Sequence, residues 1–196
     1  MKDKRRVSTY NLVLLSLLTA IVVVLQLMGS FIKFGPFSVS LVCLPISIGA
    51  AVLGTYAGGF LGLVFGIVVL LSGDAAPFLA VSVASTIGLV LVKGILSGLI
   101  SGLVYKASAK LNKTLSAILS AITCPIINTG VFVIGVFLLF LPTVTEWGVA
   151  TGAANVASYI FIGMIGVNFL FELGLNIILS PVIVRVIQYG QKRRLG

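Results

Sequence analysis

Hydrophobic residues fill this chain in long, mostly apolar runs broken by glycine, proline, short polar clusters or charged residues. Six runs stand out: approximately Tyr10 to Met28, Ser40 to Gly54, Tyr56 to Ser72, Phe78 to Tyr105, Leu115 to Leu141 and Asn155 to Ile187. An apolar helix needs about 20 residues to cross the hydrocarbon core of a bilayer. Backbone facing lipid must satisfy its own hydrogen bonds, which a helix does. The pattern therefore predicts an all-α membrane protein, a bundle of six transmembrane helices. The second and third runs are short and joined only by "GTYAGG", so they read either as two spans or as one re-entrant element.

Composition agrees with the pattern. Of 196 residues, 59% are hydrophobic and only 9% charged, with a mean hydropathy of +1.25, where soluble domains are roughly half apolar. The spans leave almost no chain for a soluble unit, so residues 1–196 are read as a single transmembrane domain. The start, "MKDKRR" before an apolar run, has the charge of a secretory leader. Its apolar part is too long and no small-x-small cleavage site follows, so it reads as an uncleaved first helix. Cys43 and Cys124 both fall inside apolar runs, where a thiol acts as a small hydrophobe. Neither suggests a disulfide or a metal.

The basic residues orient the bundle. With six spans, the N-terminus, the loop after the fourth span and the C-terminus share one side. They carry Lys2, Lys4, Arg5 and Arg6, then Lys106, Lys110 and Lys113, then Arg185, Lys192, Arg193 and Arg194. The other side has Lys33 with the acidic Asp74 and Glu146. Positive residues stay in the cytoplasm, which predicts both termini cytoplasmic in a multi-pass protein of the cell membrane. The net charge of +9 is then accounted for by topology and by membrane lipid with anionic head groups. Nucleic-acid binding is not expected, because the basic residues flank spans and do not gather on one folded face.

Glycine recurs every fourth residue at Gly54, Gly58, Gly62 and Gly66, and again at Gly94, Gly98 and Gly102. Each set puts a flat stripe on one helix face, where another backbone can approach closely. Packing within the bundle is the expected use. No longer internal repeat is evident, so an inverted-repeat transporter is not supported.

Three polar residues interrupt the apolar runs at one level. Lys93 lies 13 residues before Lys106, Asn128 lies 15 after Lys113, and Glu172 lies 13 before Arg185. At 1.5 Å per residue each is about 20 Å from the cytoplasmic charges. Ser97 and Ser101 continue the Lys93 stripe, and Asn168 and Asn176 flank Glu172 at the same spacing. Ionisable groups within the membrane mark a ligand, a pathway or a partner charge. Two readings follow: a Lys93–Glu172 salt bridge that fixes the bundle, or a polar site that contacts a ligand. The outer loops "FIKFGPF" and "TVTEWG" place Phe31, Phe34, Phe37 and Trp147 over that site, either as a cap on a small organic ligand or as an interfacial aromatic belt.

Several function classes drop out. The chain has no histidine, which removes serine–histidine and H-E-x-x-H protease chemistry. An aspartyl dyad would need a partner for Asp74, and the other aspartate is Asp3 in the tail. No nucleophile and base pair can be assembled, so an enzyme is not expected. Glycine-packed helices with few pore-lining charges argue against a wet channel.

Certain stretches are familiar. "GPFSVSLVCLPISIGAAVLGTYAGGFLGLVFG", "VKGILSGLISGLVYK" around Lys93, "NTGVFVIG" with Asn128 and Thr129, and a last helix with Glu172 and Pro181 resemble the S components of energy-coupling factor (ECF) vitamin transporters. The resemblance is to the pantothenate-type branch. It covers nearly the whole chain. At Lys93 the branch often has arginine, and near "LVCLP" it commonly has histidine where this chain has Cys43.

The resemblance implies a membrane subunit that binds a small water-soluble vitamin from outside, pantothenate first of all. Lys93, Asn128, Glu172, Asn168, Ser97, Phe34, Phe37 and Trp147 are the expected substrate contacts. Delivery would go through a membrane coupling subunit and two ATPases, since no G-x-x-x-x-G-K-[ST] pattern occurs here. Docking would use small residues of the first helix, Ser16 and Ala20 in "SLLTA". Alternatives are another vitamin, such as riboflavin or folate, or a stand-alone membrane carrier. No cofactor is expected.

Overall fold

A computed structural model describes residues 9–31, 33–34, 37–38, 41–110 and 112–195, with the side chains of 33–34, 37–38 and 190–195 left out. The fold is helical. Among the described residues three helices are long and apolar enough to cross a membrane: α1 (Thr9–Gly29), α5 (Val83–Ser108) and α6 (Lys113–Leu139). Between them lie the shorter apolar helices α2 (Cys43–Val52) and α3 (Thr55–Leu71) and a single turn, α4 (Ala76–Leu79). A two-residue antiparallel ladder, β1 (Lys33–Phe34) with β2 (Phe37–Ser38), follows α1. The second predicted run is thus a helix of 10 residues, shorter than a full crossing requires.

The α6 start is set locally. Asn112 is its cap, the side-chain oxygen accepting from the backbone N–H groups of Thr114 at 2.8 Å and Leu115 at 3.2 Å. That satisfies two of the donors a helix start leaves open.

The last apolar run is broken where a single span was expected. After α7 (Leu141–Ala150) come α8 (Val156–Ser158), a π-helical stretch Tyr159–Met164, α9 (Gly166–Ile178) and α10 (Ser180–Leu195). The segments Val156–Met164 and Gly166–Ile178 are bent by 42° relative to each other. Wide π turns interrupt the helical ladder and re-aim side chains. The second break falls at Leu179, just before Pro181, which has no N–H to continue the helix behind it.

Glycine contacts decide how α3 meets α5. An added Cβ on Gly58 would lie 2.6 Å from the Gly98 carbonyl oxygen, and one on Gly62 would run into the Gly94 carbonyl. The two stripes read from the sequence face each other. On the next helix pair, the Ser101 hydroxyl lies 2.8 Å from both the carbonyl and the hydroxyl oxygens of Ser120, tying α5 to α6.

Three apolar clusters hold the bundle. One joins α1, α2 and α3 around Leu18, Val22, Ile46, Leu61 and Phe65. A second gathers Val52, Tyr105, Ala117, Ile183 and Ile187 at one end. The third gathers Phe78, Val136, Phe140, Val144 and Met164 at the other.

Candidate functional site

Between the first and third clusters lies a cavity of about 110 Å³. Its walls include Phe65 and Val69 of α3, Val90 and Lys93 of α5, Asn128, Thr129 and Phe132 of α6, and Asn168, Phe169 and Glu172 of α9. Gln26 of α1, with Asp74, Ala75 and Phe78 around α4, close its rim. Lys93, Asn128 and Glu172, which the sequence put at one depth on three helices, thus line one cavity, together with Asn168 one turn before Glu172.

Lys93 sits between aromatic rings. Its Nζ is 5.0 Å from the Phe132 ring centre and 5.6 Å from that of Phe65, within the range where a ring face attracts a cation. Among the described residues Lys93 forms no ion pair with a carboxylate. The Lys93–Glu172 bridge that the sequence allowed is not formed. The two groups line one cavity without an ion pair between them.

Glu172 and Asn128 are both 5% exposed. Glu172 Oε1 and Asn128 Oδ1 have no hydrogen-bond partner among the described residues. A buried acceptor without a donor is costly, by about 1–3 kcal/mol and more for a charged group, so this wall favours a ligand that offers O–H or N–H groups. The Glu172 main chain is held by its own helix, its carbonyl accepting from Asn176 Nδ2 at 2.8 Å.

At the rim the chemistry reverses. Asp74 Oδ2 accepts from Gln26 Nε2 at 2.7 Å and from the Ser72 hydroxyl at 3.0 Å. This carboxylate is already engaged by protein.

The remaining predicted contacts are placed differently. Ser97 is fully buried, and its hydroxyl donates to the Gly94 carbonyl at 2.8 Å. It therefore serves its own helix and is not among the lining residues. Trp147 on α7 packs against Phe78 with ring centres 5.3 Å apart and planes tilted by 59°, so it backs a cavity residue from outside. Phe34 and Phe37 lie in the described ladder, but their side chains are outside the described residues. Ser16 and Ala20 are both exposed on α1.

A family model for the ECF transporter, substrate-specific component, matches residues 10–184. The chain belongs to that family. Comparison with curated proteins gives no match. This S component is thus a substrate-binding subunit of an ECF transporter, a membrane transport subunit and not an enzyme. The family implies a small-molecule substrate, a membrane coupling subunit and ATPase partners.

Within the S component, sequence reasoning missed Gln26, Asp74, Thr129 and the four phenylalanines of the cavity, Phe65, Phe78, Phe132 and Phe169. Gln26 carried a signal, being a long polar side chain inside an otherwise apolar helix. The phenylalanines carried none, since an aromatic in an apolar run is ordinary core.

Proposed function

We propose that this S component captures pantothenate from outside the cell and delivers it through the coupling subunit and two ATPases. The observation that carries this reading is the convergence of Lys93, Asn128, Asn168 and Glu172 on one cavity in a chain of this family. Lys93, which forms no ion pair with a described carboxylate, donates to the pantothenate carboxylate. The buried acceptors Glu172 Oε1 and Asn128 Oδ1, which have no partner among the described residues, take the ligand's hydroxyl and amide hydrogens. A charge placed in a helix at this depth is tolerated when it has such a use.

The same reading takes the chain as six spans with both termini cytoplasmic and with α1 presenting Ser16 and Ala20 to the coupling subunit. The exposed basic residues Lys106, Lys110 and Lys113 support that orientation. A second reading, an aromatic vitamin such as riboflavin or folate, is favoured by the four phenylalanines around the cavity, which offer stacking faces.

The test is binding by the purified chain alone. Calorimetry with pantothenate, riboflavin and folate should give tight binding of pantothenate, and proteoliposomes holding only this chain should show no ATP-driven uptake. Tight binding of riboflavin or folate instead selects the second reading. Robust uptake by the chain alone, with ATP or an ion gradient, overturns the subunit role.

A further inference from the structure

Lys93 is held by rings and not by a carboxylate. Its Nζ lies 5.0 Å from the ring centre of Phe132 on α6 and 5.6 Å from that of Phe65 on α3. Glu172 Oε1, in the same cavity, is left without a partner among the described residues. Given Lys93 as the group that meets the ligand carboxylate, the reading on which this role rests, we infer that Phe65 and Phe132 are its positioning residues. Their ring faces hold the ammonium clear of Glu172, so that a ligand meets a placed cation and not a closed ion pair.

A ring face suits that task. It attracts the ammonium through its quadrupole but does not neutralise it, so the charge stays available to a carboxylate. A Lys93–Glu172 pair would neutralise it, and opening such a buried pair to admit a ligand leaves two charges uncompensated. Lysine fits between two faces because its charge is a compact point on a flexible stem. The ring on the α6 side is itself fixed. Phe78 of α4 meets Phe132 edge-to-face at 5.6 Å and 86°, and packs in turn against Phe140 at 4.9 Å and Trp147 at 5.3 Å. On the α3 side, Phe65 is 1% exposed within the first apolar cluster. Two rings locked on different helices restrict where the ammonium can sit, and a group placed in advance loses less freedom when the ligand binds.

The competing role for these rings is to stack on an aromatic ligand. Lys93 Nζ already lies over both faces, so an aromatic ligand would have to displace the ammonium from them and forfeit the contact it replaces. Filling space is the other alternative, and an aliphatic side chain would serve that as well.

The experiment replaces Phe132 in the full chain by mono-, di- and trifluorinated phenylalanine, which drains charge from the ring face and barely alters its shape. Calorimetry with pantothenate should show affinity falling stepwise, about two- to thirtyfold by the last member. The fall should shrink with the alcohol analogue of pantothenate, which has no carboxylate. Phe132→Leu should lose affinity, and Phe132→Tyr should recover most of it. Thermal melts without ligand run beside these. In the wild-type chain the melting-temperature losses of Lys93→Met and Glu172→Gln should add, as for groups that do not pair. In the trifluorinated chain the double variant should lose less than the sum, because Lys93 there closes on Glu172. Affinity that ignores fluorination, an equal fall for both ligands, or losses that still add in the trifluorinated chain would each overturn the role. A wild-type chain that binds no pantothenate overturns the proposed substrate alone, and the melts then decide what the rings do.

Discussion

Gln26 of α1 donates its side-chain amide to Asp74 Oδ2 at 2.7 Å, across 48 residues of sequence. Both residues line the rim of the cavity that holds Lys93 and Glu172. Gln26 is 1% exposed, so the bond forms at the edge of a dry region, where a hydrogen bond to a carboxylate is worth about 1.5–3 kcal/mol. It also ties the far end of the helix that carries Ser16 and Ala20 to the segment roofing the cavity.

Gln26→Ala should therefore destabilise the purified protein by about 1.5–2 kcal/mol, the lower part of that range because Asp74 is half-buried and can be rehydrated. The same change should speed ligand release from the site. Thermal melts with and without ligand read the first effect, and a dissociation time course reads the second. A variant with wild-type stability and release rate would make the contact incidental.

Lys93→Met should weaken pantothenate binding by about a hundredfold or more, because truncating one partner of a buried charge pair costs about 2–5 kcal/mol. Lys93→Arg should retain part of the affinity, since the charge remains but the guanidinium must fit between Phe65 and Phe132. Calorimetry on the three proteins decides. Unchanged affinity with a lower melting temperature would mean that the lysine serves the bundle through its ring contacts and not the ligand.

Ser16→Trp combined with Ala20→Trp should abolish transport in the assembled complex and leave ligand affinity near wild type. Both positions are exposed on α1 and neither lines the cavity, so bulk there blocks only a close helix contact. Uptake assays with the coupling proteins, beside binding to the chain alone, separate the two. Transport that survives the double change moves the docking face elsewhere.

Gly62→Ala should lower stability by about 1–3 kcal/mol or more, the range for overpacking a filled interior, because the new Cβ would meet the Gly94 backbone of the facing helix. Gly88→Ala on α5 is the control. Nothing lies within 4 Å of a Cβ there, and replacing a helical glycine by alanine gains up to about 1 kcal/mol. Thermal melts should move in opposite directions. A Gly62→Ala protein as stable as wild type would show that α3 and α5 can separate without loss.

The sequence by itself determined the membrane class, the long helices α1, α5 and α6, and the common level of Lys93, Asn128 and Glu172 along their helices. Each of these is written within one segment. Uncharged length makes a helix that can cross, and a fixed rise per residue sets how deep each side chain lies. The glycine stripes were legible for the same reason, since a spacing of four fixes a face.

What only the tertiary structure decided is what each side chain meets. Lys93 and Ser97 share a stripe, yet Lys93 reaches two rings from α3 and α6 while the Ser97 hydroxyl turns back to the Gly94 carbonyl. Lys93 and Glu172 share a depth, yet no ion pair closes between them. The last run reads as one span and folds as pieces bent by 42° around a π turn. Gln26 finds Asp74 from a different part of the chain. The physical reason is common to all four. Periodicity fixes a residue's face and height on its own helix, but the rotation, tilt and breaks of neighbouring helices are set by packing many side chains at once, and a distance between two helices is written in neither alone.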